Sequence, residues 1–320
     1  MSTTKTTTLT HTYPPSSSSS SSFTPTTTLQ ISTPGKPWLS LPLPPRPDPI
    51  PIFSLSSPDT PLYTSLRPSR SSGSCYLTSS SSSSSASQIL SSTTYQFGPF
   101  RPPQVRLFLP SSSSSSPPPS SSSSSLKPQN QEYDSFPLKS TRILSLSRTV
   151  TFQTRLGTFQ WRYATRAERK QVEKESSSPE PVRVSSLLLL ERVTKIISHH
   201  PHAHASLAKK PEPEPQPEPE QLKITIAKFV RSKETRTRGS CASSAGNGGK
   251  LLLDLTKLPL LLLDAAQDHE DEWEKEDNKT DKEMMIIMAV TTCLVMLKKE
   301  VDRRRAHQII IMAGAASGGA

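Results

Sequence analysis

The chain reads as mostly intrinsically disordered, with minor α+β elements in its second half, and three observations lead there. Hydrophobic residues make up 32% of the 320 positions, against roughly 45–50% in ordinary globular domains, a count that includes glycine. Proline occurs 32 times, about twice the usual share. Four serine runs, Ser16 to Ser22, Ser79 to Ser85, Ser111 to Ser116 and Ser120 to Ser125, all fall in the N-terminal part. Segments so poor in apolar side chains cannot offset the entropy of ordering them, so a folded unit is expected only after about residue 140.

Residues 1 to about 60 are rich in serine and threonine, carry scattered Lys5, Lys36 and Arg46, and hold no acid before Asp48. This is the composition of a transit peptide, and the low arginine content points to a plastid. No apolar stretch of about 7–15 residues follows a basic start, so a secretory signal is not expected. Between Ser40 and Pro61 alternate prolines favour polyproline II and oppose helix or central strand. The PxxP core in Pro42 to Pro47, beside Arg46, reads as linker. Residues 61–138 are read as a disordered Ser/Pro-rich region.

A basic region follows over 139–205. In it Val150, Phe152 and Thr154 alternate, as do Phe159, Trp161 and Tyr163, and Gly157-Thr158 between them suits a two-residue turn. This predicts a β-hairpin near 149–164, followed by a charged helix over 164–175. Ser185 or Ser186 is the expected N-cap of a second helix near 186–199, stopping before Pro201. Its four consecutive leucines cannot share one face, so it needs a broad surface to pack on. His199, His200, His202 and His204 offer imidazoles, but no cysteine or carboxylate completes a motif. No metal site is expected.

Residues 206–221 contain PEPEPQPEPE, a stiff acidic spacer. Over 222–250, Leu222, Ile224 and Ile226 alternate like a short strand ahead of a Gly/Ser linker. A leucine-rich, acidic and apolar region covers 251–312, with a helix near 265–305 and a Gly/Ala tail at 313–320. Its apolar run, 284–297, spans about 21 Å as a helix, short of the roughly 30 Å hydrocarbon core. A partner protein that covers this helix, or a membrane surface, is expected in place of a transmembrane span.

The formal charge of +11 favours anionic partners. Cys75, Cys241 and Cys293 stand far apart, without the spacing of a disulfide framework or a zinc site, which suits a reducing compartment. Gly246, Gly248, Gly249 and Lys250 invite comparison with a phosphate loop. That pattern needs glycine at Ser244 and a hydroxyl residue at Leu251, so it fails twice. There is no GxSxG, HExxH or GxGxxG, and no enzyme, cofactor or small-molecule substrate is expected.

Between Lys139 and Lys170 eight basic residues face one acid, Glu168. Arg148, Arg155, Arg162, Arg166, Arg169 and Lys170, with Trp161 and Tyr163, form the candidate site for nucleic acid or another polyanion: cations neutralise phosphates and rings stack on bases. The competing reading is that the rings form the buried face of the hairpin and the arginines solvate the other.

Leu39, Leu41 and Leu43, and again Leu251, Leu253 and Leu255, match LxLxL. Asp254 to Pro259, DLTKLP, approaches DLNxxP with Thr256 in place of asparagine. Both resemble the amphiphilic repression motif of plant transcriptional repressors, and that resemblance implies a corepressor-type site at Leu251, Leu253, Asp254, Leu255 and Pro259. Two readings result. One is a plastid accessory protein that binds an anionic macromolecule or acidic protein through 148–170, and the other a disordered nuclear regulator.

Overall fold

The structure, a computed structural model, describes residues 23–38, 41, 48–69, 72–80, 88–96, 101–109, 132–140, 148–175, 183–195, 221–257 and 274–317. The first seven strands are β1 (Thr27–Ile31), β2 (Ile50–Ser54), β3 (Ser57–Leu66), β4 (Ser74–Ser79), β5 (Ile89–Thr94), β6 (Gln104–Phe108) and β7 (Glu132–Pro137). Six more follow: β8 (Lys139–Ser140), β9 (Val150–Thr154), β10 (Gly157–Tyr163), β11 (Ser186–Lys195), β12 (Gln221–Arg231) and β13 (Gly249–Leu253). Helix α1 (Arg166–Glu175) lies between β10 and β11, and α2 (Glu274–Ser317) comes last.

All thirteen strands belong to one antiparallel sheet in the order β7-β6-β5-β4-β3-β2-β1-β13-β12-β11-β10-β9-β8. Two meanders are joined where the last strand pairs with the first, Leu29 opposite Leu251. The far edges also meet. β7 pairs with β6 and β8 with β9, and only Leu138, fully buried, separates β7 from β8. Phe136 stacks on Phe152 at 5.2 Å across this closure, and the Arg155 amide donates to Asp134 at 2.7 Å. The sheet is therefore nearly a closed barrel.

The expectation of a mostly disordered chain with minor α+β elements is overturned by this sheet. What occupies the barrel explains why. Met284, Met285, Ile287, Met288, Ala289, Val290, Cys293 and Val295 on α2 are all 0% exposed. At about 100° per residue these positions cover every side of the helix. They share one core with Leu29, Ile52, Leu90, Leu107, Phe159, Leu190 and Phe229, drawn from strands all round the sheet. Thr291 shares a 2.7 Å hydrogen bond with Ser91 on β5, and Thr292 accepts one from the Trp161 indole on β10 at 2.9 Å. The apolar run 284–297, for which an outside partner is expected from the sequence, is enclosed by the chain's own strands. One helix supplies much of the apolar surface, so each strand needs only one or two inward hydrophobes.

Several elements change identity. The helix expected near 186–199 is β11: Leu188 and Leu190 face the barrel interior, while Leu187 and Leu189 face outward into a second cluster with Val184 and Val230. A strand buried on both faces reads as a continuous apolar run, and such a run is easily taken for a helix. The proline tract also pairs. β2 and β3 contain Pro51, Pro58 and Pro61 yet lie inside the sheet, with register shifts at Ile52/Phe53 and Phe53/Ser54. Pro61, opposite Phe53, stands where the register shifts, so its missing N–H falls in irregular pairing.

The hairpin of β9 and β10 places Thr154 opposite Gly157, so Arg155 and Leu156 make the turn, two residues before the expected Gly157-Thr158. Gly157 has φ +124°, a conformation that disfavours any side chain. The expected linker around Gly246 forms turns packed on α2. Gly246, at φ +68°, donates its amide to Glu300, and a Cβ there would stand 2.5 Å from Val301.

Candidate anion-binding clefts

Helix α1 lies on the outer face of β10 to β12. A capping box starts it: the Glu168 amide donates to Thr165 Oγ1, and the Thr165 amide donates back to Glu168 Oε2 at 2.7 Å. The same carboxylate receives Arg162 at 2.6 Å, and Arg162 also reaches Glu191 at 2.6 Å. The Arg162 guanidinium holds the Glu168 carboxyl down at about 2. With its start fixed, α1 carries Arg166, Arg169 and Lys170 at three- and four-residue spacing, along one face.

Two other segments bring cations to that face. The Ser185 amide donates to the Arg231 carbonyl at 2.8 Å, which sets Arg183 beside the end of β12. Beyond Arg231 a tight turn is held by Ser232 and Thr235. The Ser232 amide donates to Thr235 Oγ1 at 2.8 Å, and that hydroxyl donates to the Val230 carbonyl at 3.1 Å. Both residues are buried, and the turn presents Lys233 and Arg236. The result is a cleft of about 560 Å³ lined by Arg166, Arg169, Lys170, Arg183, Lys233 and Arg236, with Glu173 as the one lining carboxylate. Glu173 itself accepts the Val184 amide at 2.8 Å.

A second cleft of about 590 Å³ adjoins it, sharing Arg169, Ser185 and Ala242. Its floor is a buried knot in which Glu300 accepts Tyr163 Oη and meets Arg231 at 2.8 Å. Burial and the Glu300 charge push the Tyr163 hydroxyl well above the ordinary tyrosine range. Arg148, Arg303, Arg304 and His307 stand on its walls.

The residues predicted as a polyanion site separate into three groups. Arg148, Arg166, Arg169, Lys170 and Tyr163 line the clefts. Arg162 is engaged by Glu168 and Glu191, and Arg155 lies elsewhere, at the hairpin turn over the Tyr133 ring at 5.4 Å. Trp161 is 0% exposed, and Phe152 and Phe159 stack at 5.7 Å in the core, as the competing reading had them. Sequence reasoning missed Arg183, Arg231, Lys233 and Arg236. The basic run 231–238 was a visible signal, but its approach to α1 depends on the pairing of β11 with β12.

Of the motif residues, Leu251 and Leu253 are 0% exposed on β13 and Leu255 is buried beside them. Asp254 accepts from the amides of Thr24 and Thr256 and stands 3.4 Å from Lys257. Pro259, the four histidines of 199–204, the PxxP core and the Pro-Glu spacer lie outside the described residues. Among the described residues no cluster of histidine, cysteine, aspartate or glutamate has the makings of a metal site. No protein-family model matches the chain, and no curated protein or solved structure is detectably similar to it.

Proposed function

We propose that the protein is a non-enzymatic interaction protein that takes an acidic protein segment along the cleft between α1 and the 232–236 turn. The observation that carries this reading is the charge balance of the cleft: six cations line it against one carboxylate. Such a concentration of one sign raises the local density of an anionic partner and speeds its encounter. An acidic peptide fits better than nucleic acid, because the rings that would stack on bases are internal, Trp161 above all.

Titration of the whole protein with a fluorescent poly-glutamate peptide tests this. Arg166→Glu with Lys170→Glu is expected to weaken binding by about tenfold at low salt, and Arg155→Glu to leave it unchanged. Equal loss from both variants, or tighter binding of single-stranded DNA than of the peptide, contradicts the assignment.

A plastid location accords with the acid-free N-terminus. A removable leader is then shorter than the expected 60 residues, since β1 and β2 are internal strands of the sheet and Leu29, Ile31 and Ile52 are 0% exposed. N-terminal sequencing of the protein from plant cells is expected to find cleavage ahead of Thr27. A mature chain starting after Ile31 contradicts it. The corepressor alternative would require Leu251 and Leu253 to leave the barrel interior, and nothing in the arrangement of β13 favours that.

A further inference from the structure

We propose that the end of α2 docks on an anionic membrane surface. Ile309, Ile310, Ile311 and Met312 are 52%, 67%, 60% and 53% exposed. Four consecutive residues make more than one helical turn, so this apolar surface runs all round the helix with no side turned to the protein. One further exposed hydrophobe, Trp38 at 55%, stands against the turn that precedes it. Trp38 is fastened to α2, because Gln308 Nε2 donates to its carbonyl at 2.7 Å and the Arg304 guanidinium lies over its ring at 4.5 Å. Contiguous exposed apolar surface of this kind marks an interaction site.

Charge decides the occupant. Immediately before the apolar tip stand Arg303, Arg304, Arg305 and His307, with Lys36 alongside. Lys36 lies close enough to Arg305 that desolvation and that charge hold its ammonium below the usual lysine range. The nearby acids are already engaged, Asp302 by Lys298 and Arg305, and Glu300 by Arg231. A second copy of the chain brought tip to tip would set one basic collar against another. An anionic leaflet complements both parts: apolar side chains enter the acyl boundary while basic residues stay at the headgroups, each contributing roughly fivefold in affinity. From Ile309 to Ala316 the helix extends about 12 Å, less than half the hydrocarbon core. That length reaches into one leaflet, and among the described residues no helix is long and apolar enough to cross a membrane.

The test is sedimentation of the full chain with vesicles of neutral phosphatidylcholine, or of phosphatidylcholine with about one third phosphatidylglycerol. The anionic vesicles are expected to pull the protein down and the neutral ones to leave it in solution. Ile310→Asp with Ile311→Asp, at exposed positions, is expected to reduce binding at least tenfold, and so is Arg303→Glu with Arg304→Glu. Tryptophan emission supplies a second readout: a blue shift is expected with anionic vesicles, lost on Trp38→Phe, which leaves Trp161 and Trp273 emitting, and lost once Ile310 and Ile311 are replaced. The proposal is overturned by equal binding to both vesicles, by full binding of the Ile310/Ile311 variant, or by a vesicle-free dimer that the same variant dissociates.

Discussion

Strands β3 to β5 wall α2 partly with small polar side chains, whereas β9 to β13 wall it with leucines and aromatic rings. On the first side Ser65, Ser91 and Thr93 are buried next to Tyr63, Leu77 and Leu90. On the second stand Phe152, Phe159, Trp161, Leu188, Leu190, Phe229 and Leu253. Both walls enclose the same helix, so the polar one relies on apolar surface that α2 brings and on hydrogen bonds such as Ser91 with Thr291. A sheet need not be apolar strand by strand if what it encloses is apolar on every side.

The contrast can be broken from its apolar side first. Trp161→Ala removes the largest fully buried side chain among the described residues and its bond to Thr292, and is expected to destabilise the protein by about 3–5 kcal/mol in urea unfolding. Leu90→Ala on the polar wall is expected to cost less, and equal costs would remove the distinction. On that wall, Ser91→Ala leaves the buried Thr291 hydroxyl without its partner, at an expected cost of about 1–3 kcal/mol. Adding Thr291→Val should recover much of it, a coupling that a double-mutant cycle reads directly.

Outside the barrel the effects are smaller. Thr165→Ala removes the α1 cap and is expected to cost about 1 kcal/mol, seen as faster amide exchange confined to that helix. Glu168 adds a pH dependence. Its carboxyl is held at about 2 by Arg162, against an ordinary value of 4.5. A depressed carboxylate contributes its full stabilisation above about pH 4.5, and that contribution is lost as pH falls through about 2. Acid titration of stability in Glu168→Gln is expected to lack this component.

Periodicity made the second meander partly legible. The hairpin alternation of Phe152 and Phe159, the charged α1 and the alternation of Ile224 and Ile226 all correspond to observed elements. The first meander was hidden by averaging. Its serine runs stand in the sequence mostly between the strand segments, Ser80 to Ser85 following β4 and Ser111 to Ser125 between β6 and β7, and they dilute strands that carry one or two inward hydrophobes each. Leu187 to Leu190 misled for the opposite reason, since burial on both faces erased the alternation. Of the cleft, Arg166, Arg169 and Lys170 could be found because they belong to the basic stretch between Lys139 and Lys170. Arg183, Lys233 and Arg236 come from loops that only strand pairing brings near.

Hydrogen exchange of α2 tests the enclosed-helix account most directly. Amides of 284–297 are expected to open only with global unfolding, and so to share their protection with β11 and β12. Exchange of 284–297 at the rate of an unstructured peptide, or well ahead of those strands, would contradict a barrel closed around this helix.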